Sequence, residues 1–190
     1  MQYYKFDFHP TVFIVVFFIC LVLFYVITKF VAKKKFNSRQ FLYISAFIFY
    51  ILSLIKLTIL PLVVFIKQPP DLPISLYYSY IPFENVGNAI RSGNYIQVFG
   101  NVLLLLPLPI LLQLIAREQF SFKKTALIST IATFTIELLQ LLIDFATHYP
   151  NKVADIDDII LNIFGALIGW FIFRVVLRFK YVSLKLNHQN

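Results

Sequence analysis

The sequence predicts an all-α polytopic membrane protein, a bundle of five transmembrane helices with a surface-lying extracellular loop between the second and third. Three observations predict it. Of 190 residues, 59% are hydrophobic and 14% charged, at a mean hydropathy of +0.79, whereas charged residues make up about a quarter of a soluble domain. Five apolar segments are each long enough to cross the roughly 30 Å of a bilayer's hydrocarbon. Basic residues gather at alternate ends of those segments, as loop charge does in polytopic proteins. The formal charge of +8 is thereby explained by topology, with membrane lipids as partners and no nucleic acid.

The first segment, residues 11–28, carries Cys20, the single cysteine, which has no partner for a disulfide within the chain. Its positive charges (Lys29, Lys33, Lys34, Lys35, Arg39) follow the apolar run, and no small-residue cleavage site precedes them. A retained span is expected rather than a signal peptide. The second span covers residues 41–66, with Lys56 inside and Pro61 near its end. Residues 68–95 hold Pro69, Pro70, Pro73 and Pro82 together with Tyr77, Tyr78 and Tyr80, a composition for the headgroup level, with a short surface helix expected around residues 83–92. The third span, residues 96–116, contains Asn101, Pro107 and Pro109; the fourth, residues 125–147, contains Glu137, Gln140 and Asp144. The fifth, residues 156–177, leads into a polar tail, and the whole chain reads as one membrane domain without internal repeats.

Counting charge predicts the orientation. If the loop with Lys29 is cytoplasmic, Arg117, Lys123, Lys124, Arg174, Arg178, Lys180 and Lys185 join it there, against Lys5, Lys67, Arg91 and Lys152 outside. The N-terminus is then outside and the C-terminus cytoplasmic.

With that orientation the polar residues inside the spans all fall between the midplane and the outer surface. Glu137, Gln140 and Asp144 are spaced 3 and 4, hence on one helical face. Asp155, Asp158, Asn162, Gly165 and Gly169 follow the same rule, and Asp157 stands among them. A lipid-facing helix does not tolerate carboxylates, so these faces are expected to look into protein, around an outward-opening polar site lined by Lys56, Asn101, Glu137, Gln140, Asp144, Asp155, Asp157, Asp158 and Asn162. Lys56 is the cation at comparable depth and is expected to face Glu137 or an aspartate of the fifth span. Plainer roles compete: helix capping for the aspartates, hydrogen-bonded packing for Asn101, Gln140 and Asn162, close helix contact for Gly165 and Gly169, and a kink at Pro107.

The chemistry on offer is narrow. Carboxylates could hold a divalent cation, in which case Glu137, Asp157 and Asp158 are the candidates, or act as an acid and base. No cofactor motif, zinc motif or nucleophile elbow occurs, and His9, His148 and His188 lack ligand spacing. A binding role is therefore preferred, with a carboxylate- or metal-dependent enzyme acting on a lipid-linked envelope substrate as the alternative and a transporter third.

Five motifs in order then suggest a family: Leu57-Thr58-Ile59-Leu60-Pro61; Ile81-Pro82-Phe83; Asn101-Val102-Leu103-Leu104-Leu105-Leu106-Pro107-Leu108; Glu137-Leu138-Leu139-Gln140; and the run from Asp155 through Asp157, Asp158 and Asn162 to Gly165 and Gly169. Over residues 44–176 the chain resembles the VanZ-like membrane proteins. Lys152 stands near the position where that family generally has an arginine, and Pro109 stands where it often has glycine. The resemblance implies resistance to teicoplanin and related lipoglycopeptides in the envelope of Gram-positive bacteria, and a lipid-linked peptidoglycan precursor or the drug itself as partner.

Overall fold

The structure, a computed structural model, describes residues 2–31, 37–67 and 69–187. Lys33, Lys34, Lys35 and His188 lie outside the described residues, as does Gln68. The elements in chain order are β1 (Tyr3–Phe6), α1 (Pro10–Val26, extended by a π-helical turn Ile27–Val31), α2 (Ser38–Ile59), β2 (Leu62–Phe65), β3 (Tyr78–Ser79), α3 (Glu84–Arg91), α4 (Tyr95–Leu105), α5 (Pro107–Ala116), α6 (Phe122–Thr147), β4 (Ala154–Asp155) and α7 (Ile156–Asn187). Among the described residues, five helical stretches are long and apolar enough to cross a membrane: Pro10–Phe30, Ser38–Ile59, Tyr95–Ala116, Phe122–Thr147 and Ile156–Arg178. The protein is an all-α polytopic membrane protein with little sheet.

α6 shows why the chain needs lipid. Leu127, Ile131, Phe134, Leu138 and Leu142 are exposed, whereas Thr125, Ser129, Thr133, Glu137, Gln140 and Asp144 are buried. That arrangement reverses the pattern of a helix in water, where the apolar stripe is the one that packs. Only a hydrocarbon solvent makes the apolar face the outer one.

The chain divides into two compact units. The first joins Met1–Ile81 to Phe134–Ile156, so the division falls inside α6. Here Phe13 and Phe17 of α1 meet the edge of Phe49 of α2 at 5.5 and 5.6 Å. α2 stops earlier than the hydropathy predicts. Leu60, ahead of Pro61, is forced into extended geometry (φ −97°, ψ 154°), and residues expected to finish the second span form β2 instead. β2 pairs antiparallel with β1, Tyr3 opposite Phe65 and Phe6 opposite Leu62. A two-residue parallel pairing sets Tyr78 against Ala154 and Ser79 against Asp155. Asp155 thus belongs to a strand rather than to the helical face expected of it, while α7 starts at Ile156.

The second unit joins Pro82–Thr133 to Asp157–Asn190. Its third-span segment breaks at Leu106, because Pro107 has no N–H to continue α4 and suits the first turn of α5. α7 crosses α4 at glycine. A Cβ on Gly165 would lie 2.7 Å from the carbonyl carbon of Val102 and closer still to its oxygen, and one on Gly169 would meet Leu106 in the same way. Backbone therefore touches backbone, as small-residue seams between membrane helices do. Near the middle of α7, Trp170 Nε1 and Arg174 Nη2 both donate to the Phe120 carbonyl, at 2.8 and 3.0 Å.

Candidate functional site

In the first unit the polar face of α6 is organised one residue per turn. Glu137 Oε2 accepts the backbone N–H of Asp155 at 2.9 Å, which fixes β4 where the chain turns into α7. Gln140 Nε2 donates to the Thr58 carbonyl in the last turn of α2 at 2.8 Å. Asp144 Oδ1 accepts the N–H groups of Asn151 and Lys152, at 2.9 and 3.3 Å, and so closes the turn that follows α6. The same turn contains His148, held in the left-handed region at φ 52°.

Among the described residues, two acceptors on this face have no hydrogen-bond partner. Gln140 Oε1 and Asp144 Oδ2 are buried without a hydrogen bond, in residues that are 7% and 0% exposed. The assignment of the Gln140 amide is not arbitrary, since its nitrogen must face the Thr58 carbonyl. Side chains four apart on a helix are neighbours, about 5–6 Å between Cβ atoms. One turn of α6 therefore presents two bare oxygens, one of them on a carboxylate.

The expected partner of these carboxylates is elsewhere. Lys56 Nζ donates to the carbonyl of Phe8 at 2.7 Å, tying α2 to the segment before α1. The reason is proximity along the same helix end: Lys56 sits in the last turn of α2, beside the chain entering α1. Sequence reasoning also missed Asn151. Its Oδ1 accepts from Val63 N–H at 2.6 Å, and its Nδ2 donates to Val63 O at 3.2 Å and to Thr147 Oγ1 at 2.9 Å. An asparagine in a loop carries no periodicity, so nothing in the sequence distinguishes it from an ordinary turn residue.

The second unit holds Asn101, Asp157, Asp158 and Asn162. Asp157 accepts the N–H of Phe83 on Oδ1 and that of Val86 on Oδ2, the latter at 3.0 Å. It thereby caps α3 from a distance, because Phe83, the residue in the N-cap position, is apolar and bent to φ 64°. Asp158 accepts from the Asn101 side-chain amide. Asn162 Nδ2 donates to Thr133 Oγ1 at 3.2 Å, and its Oδ1 is buried without a hydrogen-bond partner among the described residues. Gln113, unnoticed in the sequence, is 1% exposed and links Pro109 O to Phe120 N–H. Of the hydrogen bonds just described, those of Lys56, Glu137, Gln140, Asp144 and Asp155 lie within the first unit and those of Asn101, Asp157, Asp158 and Asn162 within the second.

Among the described residues no three His, Cys, Asp or Glu side chains come together as a metal-holding group. Glu137, Asp144 and Asp157 accept backbone N–H donors, and such charge-assisted bonds stabilise a carboxylate inside a low-dielectric region.

A family model described as VanZ/LLP1 matches residues 47–178. The chain belongs to the VanZ/LLP1 family. The matched VanZ/LLP1 region takes in both carboxylate clusters and both glycines of the seam, and leaves out α1 and β1. No curated protein and no solved structure matches the chain.

Proposed function

We propose that this VanZ-type membrane protein works in the plasma membrane of a bacterium, N-terminus outside and C-terminus cytoplasmic, as a binding protein for the polar head of an amphiphile. The amphiphile is a lipid-linked peptidoglycan precursor or a lipoglycopeptide of the teicoplanin class, and its capture lowers susceptibility to such drugs. The observation that carries this reading is the pair of bare acceptors on α6, Gln140 Oε1 and Asp144 Oδ2. A buried acceptor left unpaired costs about 1–3 kcal/mol and a charged one more, so a pair one turn apart supports a guest that brings donors. Family membership supports the drug class, and the distribution of basic loop residues supports the orientation.

The test is genetic and then chemical. Deleting the gene is expected to raise lipoglycopeptide accumulation at the cell surface and to lower the inhibitory concentration. Complementation with Asp144→Asn at normal protein level is expected to fail where the wild type succeeds. Unchanged drug accumulation and susceptibility after deletion would remove the proposal.

A further inference from the structure

We infer that Asp144 and Gln140 form a receptor for a primary ammonium group. The inference deepens the reading above, on which it rests, by naming the chemistry of the head that binds. Both bare atoms are acceptors, so the guest must bring donors. Two backbone carbonyls of the first unit belong to the same region. The last turn of α2 directs the carbonyls of Leu57 and Thr58 toward side chains of this region, Lys152 Nζ resting on Leu57 O at 3.5 Å and Gln140 Nε2 on Thr58 O. A helix C-terminus also carries partial negative charge, which favours a cation there. The chain's own primary ammonium, that of Lys152, already uses this helix end.

Competing guests fit less well. A hydroxyl group brings one donor to two acceptors and leaves the Asp144 charge uncompensated inside the membrane. A quaternary ammonium brings charge and no donor. A hard divalent ion needs six or more oxygens, commonly from several carboxylates, and no group of three ligating side chains stands here among the described residues. A primary ammonium supplies one positive charge and three donors, enough for Asp144 Oδ2, Gln140 Oε1 and one further acceptor. Such a group is found on ethanolamine-type lipid heads and on free amines alike, and the chemistry at α6 is the same for both.

The experiment uses the full chain, purified in detergent, with native mass spectrometry reading retained lipid. Phosphatidylethanolamine, phosphatidylcholine and phosphatidylglycerol of identical acyl chains are offered in turn to the wild type and to Asp144→Asn, which keeps an oxygen for the Asn151 and Lys152 amides but places an N–H₂ where the bare oxygen stood. The wild type is expected to retain the ethanolamine lipid at least about tenfold over the choline lipid, a difference of one decade in affinity. Asp144→Asn is expected to lose that preference with its melting temperature unchanged. Should the variant fail to fold, the wild-type ranking of the three lipids decides alone. Equal retention of the choline lipid, or a preference that survives Asp144→Asn, overturns the inference. Retention of the glycerol lipid equal to the ethanolamine lipid, still dependent on Asp144, overturns the ammonium assignment and leaves the amphiphile-binding reading standing; lipid retention indifferent to Asp144 removes both. Displacement of the bound lipid by millimolar ethanolamine supports the inference with a free amine as source, and retention of the ethanolamine lipid unaffected by ethanolamine supports it with the lipid as source.

Discussion

The two units treat buried carboxylates differently. In the second, Asp157 spends each oxygen on a backbone amide at the start of α3, those of its N-cap Phe83 and of Val86, and Asp158 takes the amide of Asn101, so charge is used to build. In the first, Asp144 spends one oxygen on the turn after α6 and keeps the other bare, beside the bare oxygen of Gln140. The difference teaches that polarity inside a span is not one phenomenon. A carboxylate with an N–H on each oxygen is a scaffold, and one with an oxygen left bare is a place for something else.

The comparison breaks most sharply at Gly165. Its substitution by leucine drives a side chain into the backbone of Val102, which cannot rotate away as a side chain could. The loss is expected to reach or exceed the upper end of the about 1–3 kcal/mol typical of overpacking, with the protein recovered poorly or aggregated on size-exclusion chromatography. Gly100→Ala is the matching control, since nothing lies within 4 Å of a Cβ there, and it is expected to behave as wild type. Equal behaviour of the two variants would mean that the seam is not close-packed.

Asp157→Ala comes next. It leaves the amides of Phe83 and Val86 without their acceptor and removes the group that holds Phe83 in a left-handed backbone, a conformation costing an L residue about 1–2 kcal/mol. Each charge-assisted bond is worth about 1.5–3 kcal/mol, so α3 is expected to loosen locally. Hydrogen exchange in residues 83–91 should accelerate at least about tenfold, equivalent to about 1.4 kcal/mol, while α7 stays protected. Unaltered exchange would show that Asp157 is not a scaffold and would level the two units.

Asn151→Ala tests the first unit's own scaffolding. It removes the clamp on Val63 and the bond to Thr147, and about 1–3 kcal/mol of stability is expected to go with them, visible as a lower melting temperature and faster exchange at Val63. If the loss is as large as expected while Asp144→Asn costs little, framework and open acceptors in this unit are separable.

These contrasts also mark what was legible in the sequence. The spans were, because hydrocarbon imposes length and apolarity on each helix separately, and so were the inward faces of α6 and of Asn162, Gly165 and Gly169, because helical spacing needs only counting. The partners were not. Lys56 was expected opposite a carboxylate by depth, yet it answers the Phe8 carbonyl, a choice made by how the chain enters α1. The end of α2 was misplaced by six or seven residues because Leu62–Phe65 is apolar enough for a span, and only its pairing with Tyr3–Phe6 makes it a strand. Gln113 and Asn151 were invisible for a related reason: each serves backbone groups, and backbone groups have no letter in the sequence.

The smallest effect is expected at Asn162, and it is the most informative about the second unit. Its Nδ2 bonds Thr133 and its Oδ1 is bare, so one hydrogen bond worth about 0.5–1.5 kcal/mol is set against one buried acceptor costing about as much or more. Asn162→Leu together with Thr133→Val removes both partners and the orphan at nearly constant shape, and a change in stability below about 1 kcal/mol is expected. Lipid retention should not move. A large loss would show that Asn162 Oδ1 finds a donor in the membrane, and an unpaired buried acceptor would then not by itself mark a place for a guest.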